Sequence, residues 1–393
     1  MLGWQAAAGL DWARLRHAYG PAEDTPGHLR ALIEGDLAAA EHGLGELSFS
    51  VVHQYSVYPA AAPTVRVLGG LLADPALRRH GVDQMTLLEG VLALLDEVAY
   101  GVAAYDGPQT TELTWEIVTS SEADGDALAP RWEWSMADLL EACAELVDAV
   151  TPLLSDPEAD VRLAAAQLLT RLGQVPAVSD RRHALISLLA GRLKEAKGRD
   201  ERATLVAGIG ELGGDTGPWL DDADEAVRAS AAMSRHTDPV ATAVLCSVLL
   251  RPEEPKRWFA TSPWPYTGTR PALIAELLSR DLTFADLLPV ALAVVEDTST
   301  WAGFPEFGWG LFLRRGFPTA QFVDGAPPSP PTVLDQSQRV FLEALLQNGA
   351  IWNPANGNCR SALMRAGIPT ERRELERLLR RTRRRGPRYL FGT

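Results

Sequence analysis

The sequence predicts an all-α fold in which amphipathic helices stack as an α-solenoid, interrupted by irregular loops rich in tryptophan and proline. Three observations lead to this prediction. An acidic turn followed by an amphipathic helix recurs along the chain, other helices lie between the copies, and apolar–polar alternation with a period of two is almost absent. Such units cannot bury their apolar faces alone, so each is expected to pack against its neighbours.

The clearest copy of the repeated pattern is DPEADVRLAAAQLLTRLG at 156–173. Proline suits the first helical turn, and aspartate at that end complements the helix dipole. The apolar residues that follow recur at helical spacing: Val161, Ala164, Ala165, Leu168, Leu169 and Leu172. We expect Gly173 to end this helix in the left-handed conformation.

Further copies of the pattern occur at 201–214 and 226–238. An arginine takes the same position in each copy, at Arg162, Arg202 and Arg228. Acidic turns preceded by leucine recur at 71–75, 153–157 and 219–222. We expect the carboxylates of these turns to cap helices and to pair with the three arginines in a ladder along the turns.

The remaining segments complete the helical pattern. Helices that could pack against the copies are expected at 181–196, 239–251 and 271–280. The segment VVHQYSVY at 51–58 has a β-like composition, and we interpret it as the end of one helix and a turn. The predicted order is N-terminal helical repeats at 1–105, a loop insertion at 106–134, central repeats at 135–297, an aromatic and proline-rich linker at 298–334, and a C-terminal helical cap with a basic tail at 335–393.

Several stretches carry a family resemblance. The acidic turn, the Val-Arg pair and the alanine-rich helix of 156–173 resemble a HEAT repeat of the short bacterial type. HAYG at 17–20, HQYSVYPAAAPTVRVLGGLLADP at 53–75 and the stretch at 338–379 resemble bacterial, largely actinobacterial, HEAT repeat domain proteins. The resemblance implies a curved helical scaffold and assigns no chemistry. The long tryptophan- and proline-rich insertions depart from the common pattern.

Composition and cysteine usage indicate a folded cytoplasmic protein. The 393 residues suit several domains or an extended array, and 46% of them are hydrophobic. The three cysteines lie far apart without a CxxC spacing, which is typical of a reducing compartment. The N-terminus does not resemble a signal peptide, and no apolar run reaches about 18 residues, so no membrane association is expected.

Charge is unevenly distributed along the chain. The whole chain carries −14 and the segment 371–388 carries +6, which leaves −20 on the rest. An acidic body repels phosphate backbones, so nucleic acid is not expected as a partner except through the arginine-rich C-terminal tail. We interpret the tail as a solvated terminal helix whose arginines pair with acidic faces of the same protein. Contact with nucleic acid or an acidic partner is the alternative.

The sequence offers no catalytic residues, metal ligands or cofactor site. No two of the seven histidines have the HxxxH or HxH spacing of a metal site. GIGELGG at 208–214 matches the spacing of a dinucleotide fingerprint but ends a helix, so we interpret its glycines as helix-end residues. We expect His53 to be half-buried and bonded to a turn carbonyl, with a role in a pocket as the alternative.

Tryptophans are concentrated in the irregular loops. If the insertions at 105–134 and 252–271 converge, they bring together flat apolar side chains and one cation, a composition typical of interface hot spots. The predicted partner-binding residues are Trp132, Trp134, Arg257, Trp258, Trp264 and Tyr266. The alternative is that each loop packs onto its own helices.

These observations favour a noncatalytic scaffold that binds a protein partner through its concave face and aromatic loops. An enzyme similar to the HEAT-like alkylpurine DNA glycosylases is the alternative; those enzymes need a basic groove with tryptophans and a carboxylate. A helper of tetrapyrrole or other small-molecule chemistry is a third class, which no cysteine or lysine placement supports.

Overall fold

The computed structural model describes residues 1–54, 56–81, 84–103, 125–264, 268–298, 304–318 and 328–383, with the side chains of 125–135 and 383 left aside. The chain forms two compact units, Met1–Asp215 and Thr216–Thr393. Helices dominate the described part of both units, which confirms the predicted all-α class. The division between the units falls inside the segment expected to hold the central repeats, and the five-segment order stays a prediction.

The first unit contains eight described helices and two very short hairpins. Its helices are α1 Thr25–Glu34, α2 Leu37–Ser50, α3 Ala61–Leu71, α4 Leu87–Ala103, α5 Gly125–Val150, α6 Ala159–Gln174, α7 Arg182–Leu193 and α8 Arg199–Glu211. Its strands are β1 Arg16–His17, β2 Gly20–Pro21, β3 Val52–His53 and β4 Ser56–Val57. Strand β1 pairs with β2 and β3 pairs with β4, both antiparallel.

The interpretation of 51–58 as only a helix end and a turn was wrong. Helix α2 does end at Ser50, but the residues after it form the β3–β4 hairpin. Gln54 lies in its turn with φ of 50°, a left-handed conformation that residues other than glycine adopt infrequently. The valines at either end of the hairpin are buried and β-branched, so they favour extended backbone there.

Successive helices of the first unit pack as the repeat pattern predicts. Helix α4 packs against α6, and α6 packs against α8. Leu168 and Leu169 of α6 are both fully buried, as are Val161 and Leu172. Leu163 on the other side of α6 is buried as well, because α5 and α7 also contact this helix. Helix α6 is therefore a central element of the unit.

Gly173 does not end α6 in the left-handed conformation, so this prediction was wrong. The helix continues to Gln174, and a Cβ atom at Gly173 would lie 2.4 Å from Cδ2 of Leu212. Gly173 is needed for close packing against Leu212. The left-handed glycine of this region is Gly213, with φ of 87°, which follows α8. The glycines of 208–214 thus end a helix, as predicted.

Helix α5 begins ten residues earlier than the sequence suggested, since its backbone is helical from Gly125. The part of the expected loop at 125–134 is therefore helix. Gly125 and Pro130 indicated a break, but apolar residues at 128, 132, 136 and 139 recur every three or four positions, which is the helical period.

The second unit continues with helices in sequence. They are α9 Glu225–Ala232, α10 Pro239–Leu249, α11 Thr269–Ser279, α12 Phe284–Glu296, α13 Trp309–Gly316, α14 Gln336–Gln347, α15 Gly357–Arg365 and α16 Arg372–Arg383. Helix α9 packs against α10, α12 against α14, and α14 against α16. Capping boxes at Thr283 and Asp335 fix the first turns of α12 and α14.

Candidate functional site

The acidic turns share one hydrogen-bonding geometry. In each turn an aspartate oxygen accepts a hydrogen bond from the backbone N–H two residues later, at Asp74 (2.8 Å), Asp156 (3.0 Å) and Asp222 (2.9 Å). Nη1 of Arg162 donates to the carbonyls of Asp156 and Pro157, six and five positions earlier, at 2.8 and 3.0 Å. Nη1 of Arg228 makes the two equivalent contacts, at 2.6 and 3.2 Å. The copies that contain Arg162 and Arg228 therefore form the same structural unit, and the equivalent role of Arg202 stays a prediction.

The carboxylate partner of Arg162 is Glu201, and the predicted pairing with the acidic turn is incorrect. Nε and Nη2 of Arg162 donate to the two oxygens of Glu201 at 2.9 and 3.1 Å, and Nε of Arg192 donates to the same carboxylate at 2.8 Å. Burial alone would raise the pKa of Glu201, but the hydrogen bonds from the two arginines outweigh it and lower that pKa. Arg162 uses the turn only through its backbone carbonyls.

The carboxylate of Asp156 pairs with Arg78, which follows the preceding acidic turn. Nη1 of Arg78 donates to one oxygen of Asp156 at 2.9 Å, and Nη2 contacts the other oxygen. The hydrogen bond from Arg78 lowers the pKa of Asp156 despite its burial, and the N–H of Glu158 lowers it further. The two acidic turns are thus linked by a bidentate ion pair.

The arginines that pair with Asp156 and Glu201 stabilise the charged form of both carboxylates. Neither carboxylate is therefore held ready to donate a proton. The buried thiols are equally unreactive. Burial raises the pKa of Cys143 to about 12, and burial together with Glu306 raises that of Cys359 to about 11. The ion pairs and thiols are therefore best understood as structural groups.

A surface cluster forms where the turns of the two hairpins meet. The Tyr19 hydroxyl lies 3.4 Å from Nδ1 of His53, and the two rings pack edge to face with centroids 5.6 Å apart. His53 is half-buried, as expected, and among the described residues its ring contacts Tyr19 and not a turn carbonyl. The backbone N–H of Ala18 donates to the carbonyl of Ser50 at 2.9 Å, which places the first hairpin beside the end of α2.

His17 fixes the position of Tyr19 in this cluster. Its Nδ1 accepts a hydrogen bond from the backbone N–H of Tyr19 at 3.1 Å, so its Nε2 carries the proton and donates to Asp24 at 3.1 Å. His17 is buried, and the basic nitrogen that a general base would use is occupied by the backbone. The pair therefore positions Tyr19 and does not form a catalytic dyad.

Two aromatic side chains, one in the first hairpin and one in the last turn of α2, are exposed to solvent. Tyr19 is 66% exposed and Phe49, in the last turn of α2, is 64% exposed. His53 also interacts electrostatically with Glu97 of α4. Burial raises the pKa of Glu97, the neighbouring Asp96 raises it further, and His53 lowers it. The surface defined by Tyr19, Phe49 and His53 is called the ring patch below. It combines exposed aromatic area with a fixed backbone.

The predicted loop residues have different environments. Trp258 is buried, with an edge-to-face contact to Phe259 at 6.1 Å, and does not offer exposed area. Arg257 is exposed and lies 3.6 Å from Glu253. Trp264 is half-buried, and its backbone N–H donates to Ser262 Oγ at 3.1 Å. The side chains of Trp132, Trp134 and Tyr266 lie outside the described residues.

Arg257 lines an open cavity of about 540 Å³ with the end of α12 and the chain after α10. Asp297 contributes to the wall and pairs with Lys256 and with Nη1 of Arg270, the latter at 2.6 Å. Burial lowers the pKa of Arg270 while Asp297 opposes that shift. The lining carries three cationic and four acidic side chains, and Lys256 pairs with Asp297 and Arg257 with Glu253 within it, so the cavity does not favour ligands of one charge.

Comparison with known proteins identifies one segment. Residues 146–175 match the HEAT repeat family. The matched HEAT repeat spans the end of α5, the second acidic turn and α6, which includes Arg162 and the buried leucines. No curated protein and no solved structure matches the chain.

The described residues contain neither a membrane-spanning helix nor a metal-binding cluster. No described helix combines the length and apolar character needed to cross a membrane. No group of three or more histidine, cysteine or acidic side chains in the described chain is arranged to hold a metal ion.

Tyr19 and Phe49 were not predicted as site residues. HAYG at 17–20 and HQYSVYP at 53–59 had marked the two hairpins only as motifs of the resemblance. The contact between Tyr19 and His53 joins residues 34 positions apart, and periodicity within each segment does not encode such a pairing. The signal that could have suggested the patch is that Phe49 falls outside the helical spacing of 40, 43, 47 and 50, the buried positions of α2.

Proposed function

We propose that this protein is a noncatalytic scaffold and that its ring patch binds a protein partner. HEAT repeats commonly mediate protein interactions, and the matched repeat belongs to the same unit as the patch. The observation that carries the proposal is the exposure of Tyr19, whose ring contacts His53, and of Phe49, in the last turn of the helix to whose end the first hairpin is bonded. Aromatic residues supply much of the binding energy at protein interfaces.

The patch is supported by a preorganised backbone. Tyr19 is held by its backbone bond to His17 and by its ring contact with His53, and the hairpin is bonded to the end of α2. Rigid aromatic anchors lose little conformational freedom on binding. A partner with an apolar side chain therefore meets a surface that needs little rearrangement.

The aromatic loops remain a second proposed contact region. Arg257 and the half-buried Trp264 are available for it, whereas Trp258 acts as a core residue. This part of the proposal depends on Trp132, Trp134 and Tyr266, whose side chains are not described. The ring patch therefore carries the proposal.

Quantitative partner capture tests this function. Immobilised wild-type protein and the variant Tyr19→Ser/Phe49→Ser are incubated with lysate of the source organism, and the bound proteins are quantified by mass spectrometry. The control variant Leu188→Ser/Val240→Ser changes two other exposed apolar residues. We expect a specific set of proteins to be lost from the first variant and retained by the control.

Equal capture by all three proteins would contradict the proposal for the patch. Circular dichroism of each variant distinguishes loss of binding from loss of fold, because the four side chains are exposed and their replacement should leave the helices intact.

A further inference from the structure

Helix α16 divides into an apolar half and a basic half. Leu375, Leu378 and Leu379 are buried, and they recur on one side of the helix. The remaining surface of the helix carries five exposed arginines, Arg372, Arg373, Arg377, Arg380 and Arg381, and is called the arginine half. A helix of this kind docks through its leucines and presents its arginines to solvent.

The position of α16 is fixed by polar contacts as well as by burial. Nη1 of Arg339 in α14 donates to the carbonyl of Leu379 at 3.0 Å, and its Nη2 donates to Oγ1 of Thr382 at 3.0 Å. The arginine half is consequently presented on an ordered helix, and a partner does not have to order it on binding.

The arginines of this half are incompletely paired. Arg377 lies 3.3 Å from Glu374 and Arg380 lies 3.7 Å from Glu376, both on the same exposed helix. Arg372, Arg373 and Arg381 make no ion pair with any residue in the described chain. The expected pairing of the tail with acidic faces of the same protein is thus not found among the described contacts, whereas its solvent exposure is.

We propose that the arginine half of α16 binds an acidic segment of another protein. The guanidinium fork matches a carboxylate in bidentate geometry, and several forks on one helix suit a segment with several carboxylates. A nucleic acid fits less well, because Glu374 and Glu376 lie on the same helix as the arginines and a duplex carries about one charge per 1.7 Å at fixed spacing. A flexible acidic segment can place its carboxylates on the arginines and away from these two glutamates.

Fluorescence anisotropy with full-length protein tests this proposal. The probes are a short labelled oligoglutamate peptide and single-stranded and duplex DNA oligonucleotides of equal total charge. The variant Arg372→Gln/Arg373→Gln/Arg381→Gln removes the three unpaired cations. The control Arg14→Gln/Lys194→Gln/Lys197→Gln makes the same change in net charge at exposed positions elsewhere.

We expect the peptide to bind more tightly than either DNA and to dissociate as salt rises. The α16 variant should bind the peptide about tenfold more weakly, and the control variant should differ from wild type by less than about twofold. Equal weakening of both variants, or tighter binding of DNA than of peptide, would overturn the proposal. Salt-sensitive self-association that disappears in the α16 variant, without peptide binding, would assign the surface to a second copy and would also overturn it.

Discussion

Arg162 and Glu201 join two helices that pack against each other, α6 and α8, through hydrogen bonds of 2.9 and 3.1 Å. The same guanidinium also binds two carbonyls of the acidic turn before α6. One side chain therefore sets both the entry to its own helix and the contact with α8. Since Arg192 shares Glu201, the carboxylate is the centre of this network.

Replacing Glu201 should be costly. In Glu201→Gln we expect the free energy of unfolding to fall by about 3 kcal/mol, because two half-buried arginines lose their charged partner at a buried position. Glu195→Gln is the matched control, since Glu195 also contacts Arg192, at 2.9 Å, but is exposed. Its cost should stay below about 0.5 kcal/mol. Urea denaturation measures both, and similar costs for the two variants would show that the network contributes little.

The same carboxylates should make the fold sensitive to acid. The folded-state pKa values of Asp156 and Glu201 lie below the ordinary values of 3.8 and 4.5. Their stabilising effect is therefore complete above those values and is lost as pH falls through the lower folded-state pKa values, because the unfolded chain takes up protons first. Urea denaturation at decreasing pH should show a smaller loss for Glu201→Gln than for wild type. An identical loss in both proteins would disprove the assignment.

Replacing Gly173 or Gly191 by alanine should change the stability of the protein in opposite directions. A Cβ at Gly173 meets Cδ2 of Leu212 at 2.4 Å, so Gly173→Ala should destabilise the protein by about 1–3 kcal/mol. Gly191 lies in α7 with open space around its Cβ position, and Gly191→Ala should stabilise it by about 0.5–1 kcal/mol. Thermal unfolding provides the comparison. If Gly173→Ala is neutral, Leu212 can move aside and the close packing is not essential.

Leu168 tests the core of the stack. The side chain is fully buried in α6, so Leu168→Ala should cost about 2–5 kcal/mol through lost contacts and a cavity. Leu188→Ala is the control, since that leucine is 40% exposed, and its effect should be below about 0.5 kcal/mol. A cost below about 0.5 kcal/mol for Leu168→Ala would contradict the stacking of α6 with its neighbours.

The pattern within each repeat was predictable from the sequence, whereas the side-chain contacts between different helices were not. Helical spacing identified Leu168 and Leu169 as core residues, and the shared position of Arg162 and Arg228 led to one repeated geometry. Proximity in sequence suggested an aspartate as the partner of Arg162. The fold instead supplies Glu201, 39 residues later, because stacking sets which side chains face each other.

The candidate site depended even more on tertiary contacts. Composition directed attention to the tryptophan-rich loops, but burial of Trp258 depends on the helices around it. Tyr19 became a candidate only when its contact with His53 and its exposure were known. Local propensity carries no information about either property.

Site-specific photo-crosslinking most directly tests whether the ring patch binds a protein. A photoreactive phenylalanine analogue is incorporated at Tyr19 or Phe49 of the protein expressed in its source organism, with Leu188 and Val240 as exposed control positions. We expect a discrete crosslinked protein at the two patch positions and none of the same mass at the controls. Crosslinks that are absent at both patch positions, or identical at all four positions, would contradict the proposed partner-binding role.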